Sequence, residues 1–186
     1  MHTMKSVWAV AAAIVGTVLS DGALAEQPGW SLREGEGATL YAVTPPSEGT
    51  LNLKAVVLAC EVVEGRKILQ IQLYPDGKGP LLPKGAKRGQ LKDEPRAELV
   101  IDGTVHRVEL SFGGDYGLVT DQVEADLPFL SRPLADKIEH GNQLLLRFDL
   151  IGDKPGGPVF DAEASVDLKS GDGGKAIAAV RRRCDQ

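Results

Sequence analysis

The chain has 186 residues, a formal charge of −5 at neutral pH and only 5% aromatic side chains. An acidic balance of this kind gives no general attraction to nucleic acid or anionic lipid, and scarce aromatics weaken any reading that needs stacking platforms for sugars or bases. No HExxH, CxxC or clustered Asp/Glu/His spacing occurs, so the N and S ligand set that zinc requires is not supplied.

The first residues have the order of parts of a secretory signal. Lys5 gives a short positive start, Val7 to Leu19 is apolar and uncharged, and Ala23-Leu24-Ala25 has the A-x-A form of a cleavage site. The apolar run falls short of the roughly 20 residues that a bilayer-spanning helix needs. Residues 1–25 are therefore expected to be removed, leaving residues 26–186 as a single β-rich domain in the periplasm or outside the cell. No later stretch is apolar enough to span a membrane, so no transmembrane segment is expected in the mature chain.

Strand signals dominate the rest of the chain. "ATLYAV" (38–43) is a short strand ended by Pro45-Pro46. In "TLNLKAVVLACEV", Leu51, Leu53, Ala55 and Val57 share one parity, and Val56, Leu58, Cys60 and Val62 the other. Both faces turn apolar by the middle, which predicts a central strand or one with a bulge. "ILQIQLY" alternates, with Leu69, Ile71 and Leu73 expected inside and Gln70 and Gln72 outside, and Gly65-Arg66 is placed to close a hairpin. Pro75 to Pro95 reads as a loop. Beyond it Asp102-Gly103 separates two strand-like runs, the strongest short-range hairpin signal because a type I′ turn needs φ > 0 at both central residues. "YGLVTDQV" is a weaker strand.

"SRPLADKIEHG" predicts a helix capped by Ser131, with Pro133 in the first turn and Gly141 as a left-handed C-terminal cap. "NQLLLRFDLIG" resumes as a strand with Leu144, Leu146, Phe148 and Leu150 on one face. "VFDAEASVDL" comes next, with Phe160, Ala162, Ala164, Val166 and Leu168 on one face. The segment from Lys175 to Cys184 reads as a short helix whose apolar stripe holds Ile177, Val180 and Cys184. About eight strands with short connections and two peripheral helices predict an antiparallel β-sandwich or open barrel.

Few residues of the chain point to chemistry. "KSGDGGKA" fails as a phosphate loop, because Lys169 stands where a Walker glycine belongs and Ala176 where the Mg²⁺-binding hydroxyl belongs. No GxSxG elbow is present. His106 lies mid-strand and His140 at a helix end. Acidic pairs such as Asp149/Asp161 or Asp121/Glu124 could do glycosidase work only at a defined separation, which spacing across strands does not establish. No catalytic, cofactor-binding or metal-binding residues are assigned, and no cofactor is expected. The best surface candidate is the Pro75–Pro95 loop, with Lys78, Lys84, Lys87, Arg88 and the apolar pair Leu81 and Leu82. Such a loop either meets an anionic envelope component or an acidic partner, or is a solvated loop with its leucines tucked on the core.

Export makes a disulfide the default for the only two cysteines, Cys60 and Cys184. A closure of about 125 residues contributes on the order of 5 kcal/mol in the chain-entropy model. Three arginines, 181 to 183, precede Cys184 and complement the negative end of the helix dipole.

From the Cys60 strand onward, "LNLKAVVLACE", "GPLLPKGA" and "AIAAVRRRC" resemble small secreted proteins of alphaproteobacteria. The closing strand–turn–helix–Cys unit is similar to the invasion-associated locus B type of periplasmic protein. The resemblance implies an exported β-rich domain and adds contact with the envelope or a host; it implies no site residues. The expectation is a non-catalytic binding or structural module of the bacterial envelope, with an envelope component or envelope protein as partner. The alternative is a secreted hydrolase with a carboxylate/histidine site.

Overall fold

Long alternating runs joined by tight turns give an antiparallel sheet, and here one sheet takes almost every strand. The computed structural model describes residues 29–35, 39–113, 116–152 and 159–185. Residues 1–25, expected from the sequence to be a signal peptide, lie outside the described residues.

The first strands are β1 (Ser31–Glu34), β2 (Leu40–Thr44), β3 (Glu48–Gly49), β4 (Leu53–Val63) and β5 (Arg66–Pro75). Then come β6 (Leu91–Ile101), β7 (Thr104–Gly113), β8 (Tyr116–Thr120), β9 (Gln122–Glu124) and β10 (Leu127–Phe129). Helix α1 (Arg132–His140), β11 (Gln143–Ile151), β12 (Ala162–Asp167) and α2 (Gly173–Cys184) complete the order. Ten strands form one curled antiparallel sheet, a half-barrel ordered β1-β2-β4-β5-β8-β7-β6-β11-β12-β3. The open-barrel form of the sequence expectation is the one adopted. β9 and β10 make a separate hairpin. The short strands β1, β3, β9 and β10 carry too little alternation to read, so about eight were expected where the described residues form twelve.

The inner face holds the core. Leu144, Leu146, Phe148 and Leu150 on β11 are fully buried against Leu99 and Ile101 of β6 and Ala164 and Val166 of β12. Leu134, Ala135 and Ile138 of α1 and Ala176, Ile177 and Val180 of α2 belong to the same cluster, so both helices pack on this face. Each such aliphatic side chain contributes about 1.5–3 kcal/mol by leaving water.

Asp102-Gly103 makes the expected turn, with φ of 47° and 82°. The earlier hairpin turns on Glu64-Gly65 (φ 51° and 77°), one residue before the expected pair, because Val63 pairs with Arg66. Ser131 caps α1, its hydroxyl accepting from the Leu134 N–H. Gly141 is extended rather than left-handed (φ −67°). Its role is close packing: a Cβ there would lie 2.7 Å from Ile101 Cγ2 and 2.8 Å from the Lys137 carbonyl. The glycine-rich turn before α2 has a similar reason. At Gly173 a Cβ would meet the Leu168 carbonyl at 2.3 Å and the Trp30 ring at 2.9 Å.

Two parity expectations change. β4 shifts register between Leu53 and Ala55 where it pairs with β5. Leu51 and Leu53 are buried with the core before the shift, and Val56, Leu58 and Cys60 after it, so Ala55 and Val57 move to the outer face. Phe160 lies beyond β12, under the Arg147 guanidinium at 4.7 Å, rather than in the core row.

Cys60 and Cys184 are joined, with their Cα atoms 5.4 Å apart. The bond ties the end of α2 to the middle of β4. Arg181 adds a second tie, bonding Asp136 at 2.5 Å and Glu139 at 2.6 Å on α1. The arginine run therefore contains a clamp between the two helices as well as dipole partners.

Candidate functional site

The most distinctive surface lies on the outer face of the sheet, along β4. After its bulge this strand presents Ala55, Val57 and Ala59 outward, all small. The flanking strands present Tyr41 and Val43 on β2 and Gln72 and Tyr74 on β5, with Tyr41, Gln72 and Tyr74 standing taller than the floor. Cross-strand register sets Tyr41 opposite Ala59, Val57 opposite Gln72, and Ala55 opposite Tyr74. A short row between two tall rows is a trough, here of about 510 Å³. That volume is in the range of small-ligand sites.

All three tyrosines of the chain, Tyr41, Tyr74 and Tyr116, converge here. Tyr116 of β8 stacks on Tyr74, ring centroids 5.4 Å apart, and braces it from behind. The Tyr74 hydroxyl donates to Gln72 Oε1 at 3.0 Å, and Gln72 Nε2 donates to Glu61 Oε1 at 3.1 Å. This relay fixes the Gln72 amide and leads from a phenol to a carboxylate. Burial first, then Tyr116, Glu61 and Tyr41, pushes the Tyr74 phenol above its ordinary pKa, so it stays a donor. Lys54 stands at the opposite end of the floor from Glu61. The trough thus combines aromatic walls, an apolar floor, an amide and two opposite charges.

The Pro75–Pro95 loop is shorter and more anchored than expected. β5 runs to Pro75 and β6 starts at Leu91. Leu81 and Leu82 are buried, Leu81 beside Leu73 and Leu110 around Gly117. Asn52 holds the loop: its Nδ2 donates to the Pro80 carbonyl, its Oδ1 accepts from Leu82 N–H at 2.7 Å, and its own N–H bonds the Leu82 carbonyl. Lys78, Lys84, Lys87 and Arg88 face solvent, Lys84 Nζ reaching the Gly49 carbonyl. The structure does not bring these cations and the two leucines together on one surface.

The acidic groups weighed for hydrolysis are occupied. Asp149 is buried, accepting from Lys92 Nζ at 2.6 Å and from Arg96 Nε and Nη2. Burial would raise its pKa, but the bonds and charges of Lys92 and Arg96 outweigh that and hold it below the usual carboxylate range. Asp161 accepts from the Leu150 and Ile151 N–H groups, Asp121 from the Ser131 N–H and hydroxyl, and Glu124 from Arg66. His106 pairs across from Leu99 on the inner side, its Nε2 buried with no hydrogen-bond partner. His140 Nδ1 lies 2.9 Å from the Asp136 carbonyl on exposed helix surface. A wider cleft of about 740 Å³ opens where β6 leaves β7 at Pro95, but its Arg96 and Glu98 are already paired with Asp149 and Arg147.

Sequence reading missed Tyr41, Lys54, Glu61, Gln72, Tyr74 and Tyr116. The usable signal was the run of small residues at alternate positions 55, 57 and 59, bounded by Lys54 and Glu61. Among the described residues no group of His, Cys, Asp and Glu is placed to hold a metal, and no helix is long and apolar enough to cross a membrane. No family model, curated protein or solved structure matches the chain.

Proposed function

We propose that this chain is an exported, non-catalytic binding module of the bacterial envelope, and that the trough along β4 is where it binds. The observation that carries the reading is that two tyrosines, Tyr41 and Tyr74, wall one small-residue floor with the third, Tyr116, stacked behind Tyr74, in a chain otherwise poor in aromatics. Side chains with rigid rings and one polar end give contact area and orientation at low entropic cost. The commitment of Asp121, Glu124, Asp149 and Asp161 to structural bonds supports binding over hydrolysis. Export rests on the N-terminal signal pattern, and a Cys60–Cys184 bond fits an oxidising compartment. The exposed Lys78, Lys84, Lys87 and Arg88 suit contact with an anionic envelope component while the trough holds its ligand.

The test is native mass spectrometry of the protein recovered from the exported fraction of its own cells, beside an Ala55→Trp variant that fills the trough from the outer face. Retention of a low-mass ligand by the parent and its loss in the variant supports the reading. An identical adduct in both, or none in either, contradicts it, as does turnover of ester, peptide, glycan or phosphate substrates.

A further inference from the structure

The ends of the trough carry opposite charges, which narrows the ligand class. Only Oε1 of Glu61 takes part in the relay with Gln72, which leaves Oε2 to a ligand donor. Lys54 is exposed, and it makes no hydrogen bond or ion pair among the described residues. Between the two, Ala55, Val57 and Ala59 offer only apolar contact. β4 is hydrogen-bonded to β2 on one side and β5 on the other, so its main chain has nothing left to offer an added strand. Recognition must come from the two charges, the relay and the walls.

Taking the trough as the ligand site, we propose that it holds a short extended peptide with free termini, the ammonium at Glu61 and the carboxylate at Lys54. At about 3.3 Å per residue the floor from Ala55 to Ala59 spans roughly 13 Å. An extended tetrapeptide covers about the same length. The ammonium end lies near Tyr41, whose ring face attracts a cation, and near the carboxylate, which bonds it. The Tyr74 hydroxyl oxygen remains able to accept a peptide N–H while donating to Gln72. A singly charged ligand of the same body would satisfy one end and leave the other charge facing it unpaired. A zwitterion matches both.

Calorimetric titration with Leu-Ala-Leu-Ala, its N-acetyl form and its C-amide form tests this, using the parent chain, Glu61→Gln, Lys54→Met and Ala55→Trp. Far-UV circular dichroism checks that each variant is folded. The free peptide should bind the parent about tenfold more tightly than either blocked form, the size of one charged hydrogen bond. Acetylation should cost nothing further in Glu61→Gln, nor amidation in Lys54→Met. If all three peptides bind the parent equally and Ala55→Trp loses them all, the terminus assignment is overturned while the trough stands as the ligand site. If Ala55→Trp binds as well as the parent, the trough reading itself falls. No binding by any of the peptides overturns the peptide class.

Discussion

Removing the disulfide should cost this fold on the order of 5 kcal/mol, a large share of the stability of an ordinary domain. The bond joins positions 124 apart in sequence, so its loss opens, in the unfolded chain, a loop that holds six of the ten sheet strands. With n near 125 the chain-entropy expression gives about 4.9 kcal/mol at room temperature. Replacing Cys60, a buried member of the core, by Ala removes one sulfur's packing as well. The assay is urea unfolding of the parent and of the Cys60→Ala/Cys184→Ala double variant, followed by far-UV circular dichroism. With a slope of about 2–3 kcal/mol/M, the midpoint should fall by roughly 2 M. Ala176, Ile177, Val180 and the Arg181 ion pairs would then be left to hold α2, so its amides should lose protection from hydrogen exchange first. A midpoint shift below about 0.5 M would refute the reasoning, because the closure would then be constraining little.

Leu81→Ala should destabilise by about 2–5 kcal/mol, while Ala at Lys84, Lys87 and Arg88 together should change thermal stability little, because only the leucine is buried; equal effects would show that the loop is not a plug. Asp149→Ala should cost about 2–3 kcal/mol, less than a fully buried pair, because Arg96 remains largely exposed and can be solvated. The lowered pKa of Asp149 makes its contribution present above the unfolded value near ~3.9 and lost as pH falls through the folded value. An acid titration of stability should therefore be shallower in Asp149→Ala than in the parent. Tyr74 has the opposite sign: its raised pKa gives stability that is complete below ~10 and declines as pH rises toward the folded value. Ultraviolet titration should show one late-ionising tyrosine that disappears in Tyr74→Phe.

Elements with one buried face could be read directly from the sequence. Leu144 to Leu150 alternates because β11 is central and carries the core, and Asp102-Gly103 announces its turn because few other residues accept φ > 0 twice. Cys60 and Cys184 had no other partners to choose. What could not be read depends on register or on distant strands. The bulge at Leu53/Ala55 flips which face Val57 takes; the apolar residues on both faces allowed a bulge but did not place it. Gln70 and Gln72 face outward as expected yet are buried, Gln70 bonded to the Pro128 carbonyl of the β9–β10 hairpin and Gln72 in the relay with Tyr74 and Glu61. A composition of 5% aromatics argued against a stacking surface, but an average says nothing about convergence, and the three tyrosines come from three different strands.

The most direct measurement of the central claim is an amide chemical-shift map of the isotope-labelled chain titrated with Leu-Ala-Leu-Ala. Binding in the trough predicts perturbations concentrated at Tyr41, Val43, Ala55 to Ala59, Gln72 and Tyr74, with the loop at 76–90 and the cleft beside Pro95 unchanged. Perturbations at that loop or cleft, with the trough silent, would contradict it.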